Sequence, residues 1–128
     1  MANVRVHKQV MSTLFIYVDG FDLENIASLL VERFEKFAAV WGIPMTRVVN
    51  EKMEATPDWN LGLNVELEEI PRGKVEELVT FLCSLAKETS REFVVGYWDS
   101  KKKTSDDWCY IGPVPKQRDI EMLVEQLQ

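Results

Sequence analysis

Histidine, cysteine and glycine-rich motifs are scarce in this chain, and their scarcity argues against several kinds of site. There is one histidine, His7, and there are two cysteines, Cys83 and Cys109. A zinc site needs three or four ligands at workable spacing, and these three residues are too few and too dispersed to supply one. Neither a GxGxxG nor a GxxxxGK segment occurs, so no phosphate-binding loop is predicted. We therefore expect no cofactor and no metal, and we interpret His7 as a surface residue.

Long apolar runs are also missing. The densest one near the N-terminus, residues 14–18, is too short for the core of a signal peptide. No segment approaches the roughly 20 apolar residues that a membrane helix requires. Without a secretory signature, Cys83 and Cys109 are predicted to be reduced thiols in the core rather than a disulfide. We expect a cytoplasmic protein that does not contact a membrane.

Acidic residues outnumber basic ones, and nearly all of the excess lies in one stretch of the sequence. The net charge is −6 with a pI near 4.8, which argues against nucleic acid as the partner. Residues 51–70 contain one basic residue, Lys52, against six acidic ones, a net charge of −5. The acidic residues of this stretch are Glu51, Glu54, Asp58, Glu66, Glu68 and Glu69. A plain role in solubility is one interpretation, and steering of a basic partner is the other.

Hydrophobic periodicity predicts eight elements in the order β-α-β-β-α-β-β-α. Apolar residues at three- and four-residue steps indicate helices at 22–41, with Asp22 as N-cap, at 73–89, and at the C-terminus. Strands are predicted at 13–18, 46–53, 61–67, 93–98 and 108–111, with a hydrophilic loop at 99–107. The predicted core comprises Phe15 or its neighbours Leu14 and Ile16, together with Leu30, Phe34, Leu63, Val65, Leu78 and Leu82.

This order predicts one α+β domain spanning residues 1–128. Its first six elements match the ferredoxin-like split βαβ sandwich, with an appended β-hairpin and a C-terminal helix. Right-handed crossovers place both long helices on one face of the sheet and the first and third strands in its middle. The other face is expected to be open or covered by the terminal helix.

Two short segments are candidate sites of chemistry. Asp19-Gly20-Phe21-Asp22 follows a strand, a position at which carboxylates can hold Mg²⁺. We interpret Asp19 as part of a turn and Asp22 as a helix cap. The basic run 101–103 is flanked by aspartates, which favours a solvated hairpin tip over a nucleic-acid contact.

The acidic stretch and the tryptophans indicate a binding surface. Trp59, Trp98 and Trp108 lie at predicted loop–strand junctions, and tryptophan is enriched at binding hot spots. Packing at the rim of the core is the alternative for each of them. The predicted partner-binding residues are Glu51, Glu54, Asp58, Trp59, Glu66, Glu68 and Glu69.

A small acidic α+β chain with no evident catalytic constellation resembles the bacterial immunity proteins that neutralise nuclease toxins, including those of contact-dependent growth inhibition. The resemblance covers size, charge and the lack of catalytic residues. It implies a non-enzymatic inhibitor that presents an acidic surface to a basic toxin. The alternatives are a small-molecule-binding or regulatory domain, which is expected to be dimeric, and an enzyme that works through Asp19 and Asp22 or through tyrosine and carboxylate groups in a cleft.

Overall fold

A computed structural model describes residues 12–53, 59–66 and 69–128. Five strands and three helices occur along these residues, which confirms the α+β class. In chain order they are β1 (Thr13–Val18), α1 (Ala27–Trp41), β2 (Thr46–Lys52), β3 (Trp59–Val65), α2 (Arg72–Thr89), β4 (Phe93–Asp99), β5 (Thr104–Ile111) and α3 (Gln117–Leu127).

The strands form one sheet in the order β2-β3-β1-β4-β5, and every neighbouring pair is antiparallel. Strand β1 lies at the centre and β3 beside it, so the prediction that these two strands are interior is confirmed. Strands β2 and β5 form the two edges.

Alternation along β1 separates the two faces of the sheet. Leu14, Ile16 and Val18 are buried against the helices, whereas Phe15 and Tyr17 are only half-buried on the opposite face. The alternation follows from the pleat of a strand, in which successive side chains point to opposite faces. Every predicted core residue except Phe15 is buried in the helix-side core.

The three helices share one side of the sheet. Helices α1 and α2 pack together through Phe37 and Phe81, whose rings stack with centroids 4.2 Å apart. The Trp41 indole N–H donates a hydrogen bond to the Lys74 carbonyl at 2.9 Å and fixes the end of α1 on α2. Helix α3 buries Leu123 and Leu127 in the same core. The second face is therefore left without a helix among the described residues.

Two predicted boundaries were wrong. Helix α1 begins at Ala27, and Asp22 does not cap it: Asp22 adopts a left-handed φ of 57°, and its carbonyl accepts a hydrogen bond from Arg91. A turn from Leu23 to Ile26 precedes the helix because it places Leu23 fully inside the core. The predicted loop at 99–107 is mostly strand, since β5 begins at Thr104.

Candidate functional site

The acidic stretch is divided between the two ends of the β2–β3 hairpin. Glu51 is exposed near the end of β2 and pairs in register with Asn60. Glu66 follows the far end of β3, where its backbone N–H bonds the Met45 carbonyl, and Glu69 is exposed beyond it. Asn60 and Glu66 are six residue steps apart along extended chain, a span of about 20 Å. Glu54, Asp58 and Glu68 lie outside the described residues.

Trp59 is held in place by neighbouring side chains. Its indole N–H donates to the Asn50 side-chain oxygen at 2.7 Å, and the Lys52 ammonium lies 4.9 Å from its ring centroid. Lys52 is in turn 3.0 Å from a carboxylate oxygen of Glu24. Trp59 is half-buried and packs against the core. Part of its side chain is therefore exposed to solvent, and the rest contributes to the packing of the core.

The face of the sheet opposite the helices is called the open face below. It consists of the alternate strand positions that share a side with Tyr17. In register order across the sheet, one row contains Val49, Gly62, Tyr17, Val94 and Tyr110. The next row contains Arg47, Asn64, Phe15, Gly96 and Asp107, and Trp98 lies opposite Thr13 beyond it.

Aromatic rings cover the middle of the open face. The rings of Phe15 and Tyr17 stack with centroids 5.1 Å apart, and the Tyr17 hydroxyl donates to the Asn64 side-chain oxygen at 2.6 Å. The Phe15 ring lies directly over Gly96, where an added Cβ would be 2.2 Å from its Cζ atom. Glycine at this position leaves room for the Phe15 ring, because any side chain here would overlap it.

Two more exposed aromatic side chains extend this surface toward β5. Trp98 is 38% exposed and Tyr110 is 47% exposed. Isolated exposed apolar residues are normal on protein surfaces, but several of them on one uncovered face indicate an interaction surface. Trp108 differs from Trp98: it stacks on Tyr97 with centroids 5.1 Å apart and packs against the core.

Carboxylates border the aromatic rings. Glu51 on β2, Asp107 on β5 and Asp19 just beyond β1 are all exposed, and Arg47 is the exposed basic residue at the described strand positions of this face. The Tyr110 hydroxyl donates to a carboxylate oxygen of Asp107 at 3.0 Å. This hydrogen bond, with the nearby negative charges of Asp107, Asp19 and Glu92, raises the pKa of Tyr110.

The pKa of Tyr17 is also raised, for a different reason. Partial burial is the main cause, since removal of water disfavours the phenolate. The hydrogen bond to Asn64 opposes the shift, the charge of Glu51 adds to it, and Arg47 acts against it. At neutral pH both tyrosines remain neutral hydrogen-bond donors, so this face offers hydroxyl, aromatic and carboxylate groups.

Sequence reasoning included Trp98 among its candidates but missed Tyr17, Tyr110 and Asp107, and it placed Phe15 in the core as one option. A signal was present in residues 13–18. The even positions are aliphatic (Leu, Ile, Val), whereas Phe15 and Tyr17 occupy odd positions. An aromatic set alternating with an aliphatic set indicates two different environments on the two faces of a strand.

The described cysteine and acidic side chains do not indicate metal or thiol chemistry. Residues 12–53, 59–66 and 69–128 contain no group of three or more histidine, cysteine or acidic side chains placed to hold a metal ion. Cys83 and Cys109 are both free thiols. Burial raises the pKa of Cys109 to about 12, with a smaller contribution from the charge of Asp119. Its thiolate is thus scarce at neutral pH.

A helix that crosses a bilayer must be about 20 residues long and predominantly apolar. Among the described residues, every helix is too short or too polar to cross a bilayer.

The chain was compared with known proteins by sequence and by structure. No protein family model, no curated protein and no solved structure matches it.

Proposed function

We propose that this chain is a non-enzymatic protein-binding module that inhibits a basic protein, in the manner of an immunity protein that neutralises a nuclease toxin. The observation that carries the proposal is the open face: Phe15, Tyr17, Trp98 and Tyr110 lie together on a sheet surface that no described helix covers. Aromatic side chains at the centre of a patch with polar groups at its rim are the usual anatomy of a protein interface.

Charge at the rim supports a basic partner. Glu51, Asp107 and Asp19 outnumber Arg47 on this face, and the whole chain carries a net charge of −6. Complementary charge accelerates encounter between two proteins, and rim charges act mainly on the association rate. A nuclease that binds phosphate groups presents a basic surface, so an acidic and aromatic face suits its inhibition.

The division of the acidic stretch favours the open face over the whole hairpin as the contact surface. Glu51 shares this face with Tyr17, whereas Glu66 lies about 20 Å away, just past the far end of β3. We therefore assign the first contact with the partner to Glu51 together with Asp19 and Asp107. Glu66, Glu69 and the remaining acidic residues extend the negative field that attracts the partner.

The strand order supports a ferredoxin-like interpretation of the scaffold. Strands β2, β3, β1 and β4 are neighbours in that order and are all antiparallel, and α1 and α2 lie on one face. Strand β5 then extends the sheet beyond β4. This arrangement keeps one face of the sheet free for a ligand or a partner.

The test measures binding to the basic protein encoded beside this gene. The variant Glu51→Gln with Asp107→Asn removes two open-face charges and keeps side-chain size. The control Glu35→Gln with Glu125→Gln removes two exposed charges from α1 and α3 on the helix side. We expect the open-face variant to associate severalfold more slowly at low salt and the control to match the parent.

Salt dependence provides the second readout. The difference between variant and parent should shrink at 1 M salt, where the Debye length falls to about 3 Å. If the open-face variant associates as fast as the parent at low salt, the open face is not the contact surface. If no binding occurs for any form, the proposed inhibition of that neighbour is wrong.

A further inference from the structure

A cavity of about 630 Å³ lies where β1 ends, beside the open face. It is called the β1-end pocket here, and its walls include Tyr17, Phe21, Met53, Trp59, Asn60 and Asp19. Aromatic residues, a methionine and an aspartate thus line the same space. This combination of groups differs from that of the aromatic surface over β1 and β4.

The walls of the pocket are partly rigid and partly accessible. The hydrogen bonds to Asn64 and Asn50 hold Tyr17 and Trp59 in position. Phe21 is 60% exposed and Met53 is 41% exposed, so a ligand can reach both side chains from solvent. The carbonyl of Phe21 accepts a hydrogen bond from Arg91 at 2.9 Å, which fixes the backbone of this wall.

Charged groups of both signs lie around the β1-end pocket. Asp19 is one of its lining residues, and Glu51, which pairs in register with the pocket residue Asn60, is close enough to raise the pKa of Tyr17. Arg47, Arg91 and Lys52 are the nearby basic groups; the Arg91 guanidinium donates to the carbonyls of Phe21 and Asp22, and Lys52 is paired with Glu24. Asp19 is the acidic lining residue that can pair with a bound cation.

Trp59 already interacts with a positive charge within the molecule. The Lys52 ammonium lies over its ring at 4.9 Å and is neutralised by Glu24. The indole therefore takes part in a cation–π contact in this structure, and the other aromatic walls, Tyr17 and Phe21, carry no such contact among the described residues. Aromatic faces attract cations most strongly where water is partly excluded, as in a concave site.

We infer that the β1-end pocket binds an arginine side chain of the basic partner. A guanidinium group is planar, stacks on aromatic rings and donates paired hydrogen bonds to a carboxylate. In the pocket it stacks against Tyr17 or Phe21 while it donates to Asp19. This inference rests on the proposed function, because it names the chemical group by which a basic partner is anchored.

The experiment uses small probes in place of the partner. N-acetyl-arginine methylamide is titrated into protein labelled with ¹⁵N and with ¹³C in the methionine methyl groups, with the uncharged isostere N-acetyl-citrulline methylamide as the control probe. The Trp59 indole signal is assigned with Trp59→Phe, and the Met53 methyl signal with Met53→Leu. We expect saturable shifts of both signals with the arginine probe, at a Kd on the order of 1–10 mM, and none with citrulline.

Variants of the chain test the assignment of the carboxylate. Asp19→Asn should weaken arginine binding about two- to fivefold, the range expected for one exposed ion pair. Glu35→Gln removes the same charge from the exposed surface of α1 and should leave the Kd unchanged. Phe21→Ala removes one wall and should also weaken binding, and its exposure means that the fold should tolerate the change.

Several results would overturn the inference. These are equal shifts with citrulline, an unchanged Kd in Asp19→Asn, equal binding of N-acetyl-lysine methylamide, or no shift with arginine at all. The outcome is separable from the test of the proposed function. Suppose that the arginine probe does not bind the pocket, but the partner still binds at a rate that depends on Glu51 and Asp107. Then only the assignment of the pocket is wrong.

Discussion

Gly62, at the middle of β3, is the position at which a single methyl group should damage the sheet most. It pairs with Tyr17 on β1 and with Val49 on β2, so both of its neighbours are ladder partners. An alanine Cβ here would be 1.8 Å from the Ile16 carbonyl oxygen and 2.9 Å from the Ile16 carbonyl carbon. These are backbone atoms of the central strand, and they can move away only if the β1–β3 ladder separates.

The expected cost of Gly62→Ala follows from that geometry. Extra atoms in a packed interior cost about 1–3 kcal/mol when side chains can adjust, and more when they cannot. Because the clash is with backbone, we expect a loss of at least about 3 kcal/mol of unfolding free energy. In a chain of this size that corresponds to a fall in melting temperature on the order of 10 °C or more.

Gly73→Ala is the matched control. Gly73 lies in the first turn of α2, and no atom lies within 4 Å of an added Cβ. The same chemical change should stabilise the protein by up to about 0.5 kcal/mol, because alanine favours helix over glycine. Urea denaturation followed by circular dichroism measures both variants. If Gly62→Ala unfolds within about 0.5 kcal/mol of the parent, the close approach of β3 to β1 is wrong.

Three further predictions concern the core, a partly buried thiol and the open face. Leu78→Ala should cost about 2–5 kcal/mol in urea denaturation, since the side chain is buried, and an unchanged midpoint would remove Leu78 from the core. Because the pKa of the folded Cys109 thiol is raised from 9.0 to about 12, its unfolded form deprotonates first, so stability should fall as pH rises from 9 toward 12. Cys109→Ala should lose less stability over that interval, and an equal loss would contradict the assignment. Asp107→Asn should lower the pKa of Tyr110 toward its ordinary value in an absorbance titration; no change would mean that the hydrogen bond between them does not form in solution.

The hydrophobic pattern within each segment was sufficient to predict most of the helices and strands. The strand at 13–18 matches β1, and the helix predicted at 73–89 begins one residue earlier. These segments are long and strongly periodic, so burial of one stripe or face determines their structure whatever lies beyond them. Where the pattern was weak, as in 99–107, the pairing of β5 with β4 decided the outcome, because polar residues form a strand readily when a partner supplies the hydrogen bonds.

The sequence by itself determined that the chain is acidic, that it forms strands and helices in this order, and that Leu30, Phe34, Leu78 and Leu82 are buried. Each of these follows from composition or from the spacing of apolar residues along one element.

Only the tertiary structure decided which charges and rings lie together. Glu51 and Glu66 belong to one acidic stretch of sequence, but an extended strand holds them at opposite ends of a hairpin. Asp107 is far from Phe15 in sequence, yet β4 brings both onto the same row of the open face. Strand pairing sets these neighbours, and pairing depends on contacts between residues that are distant in the chain.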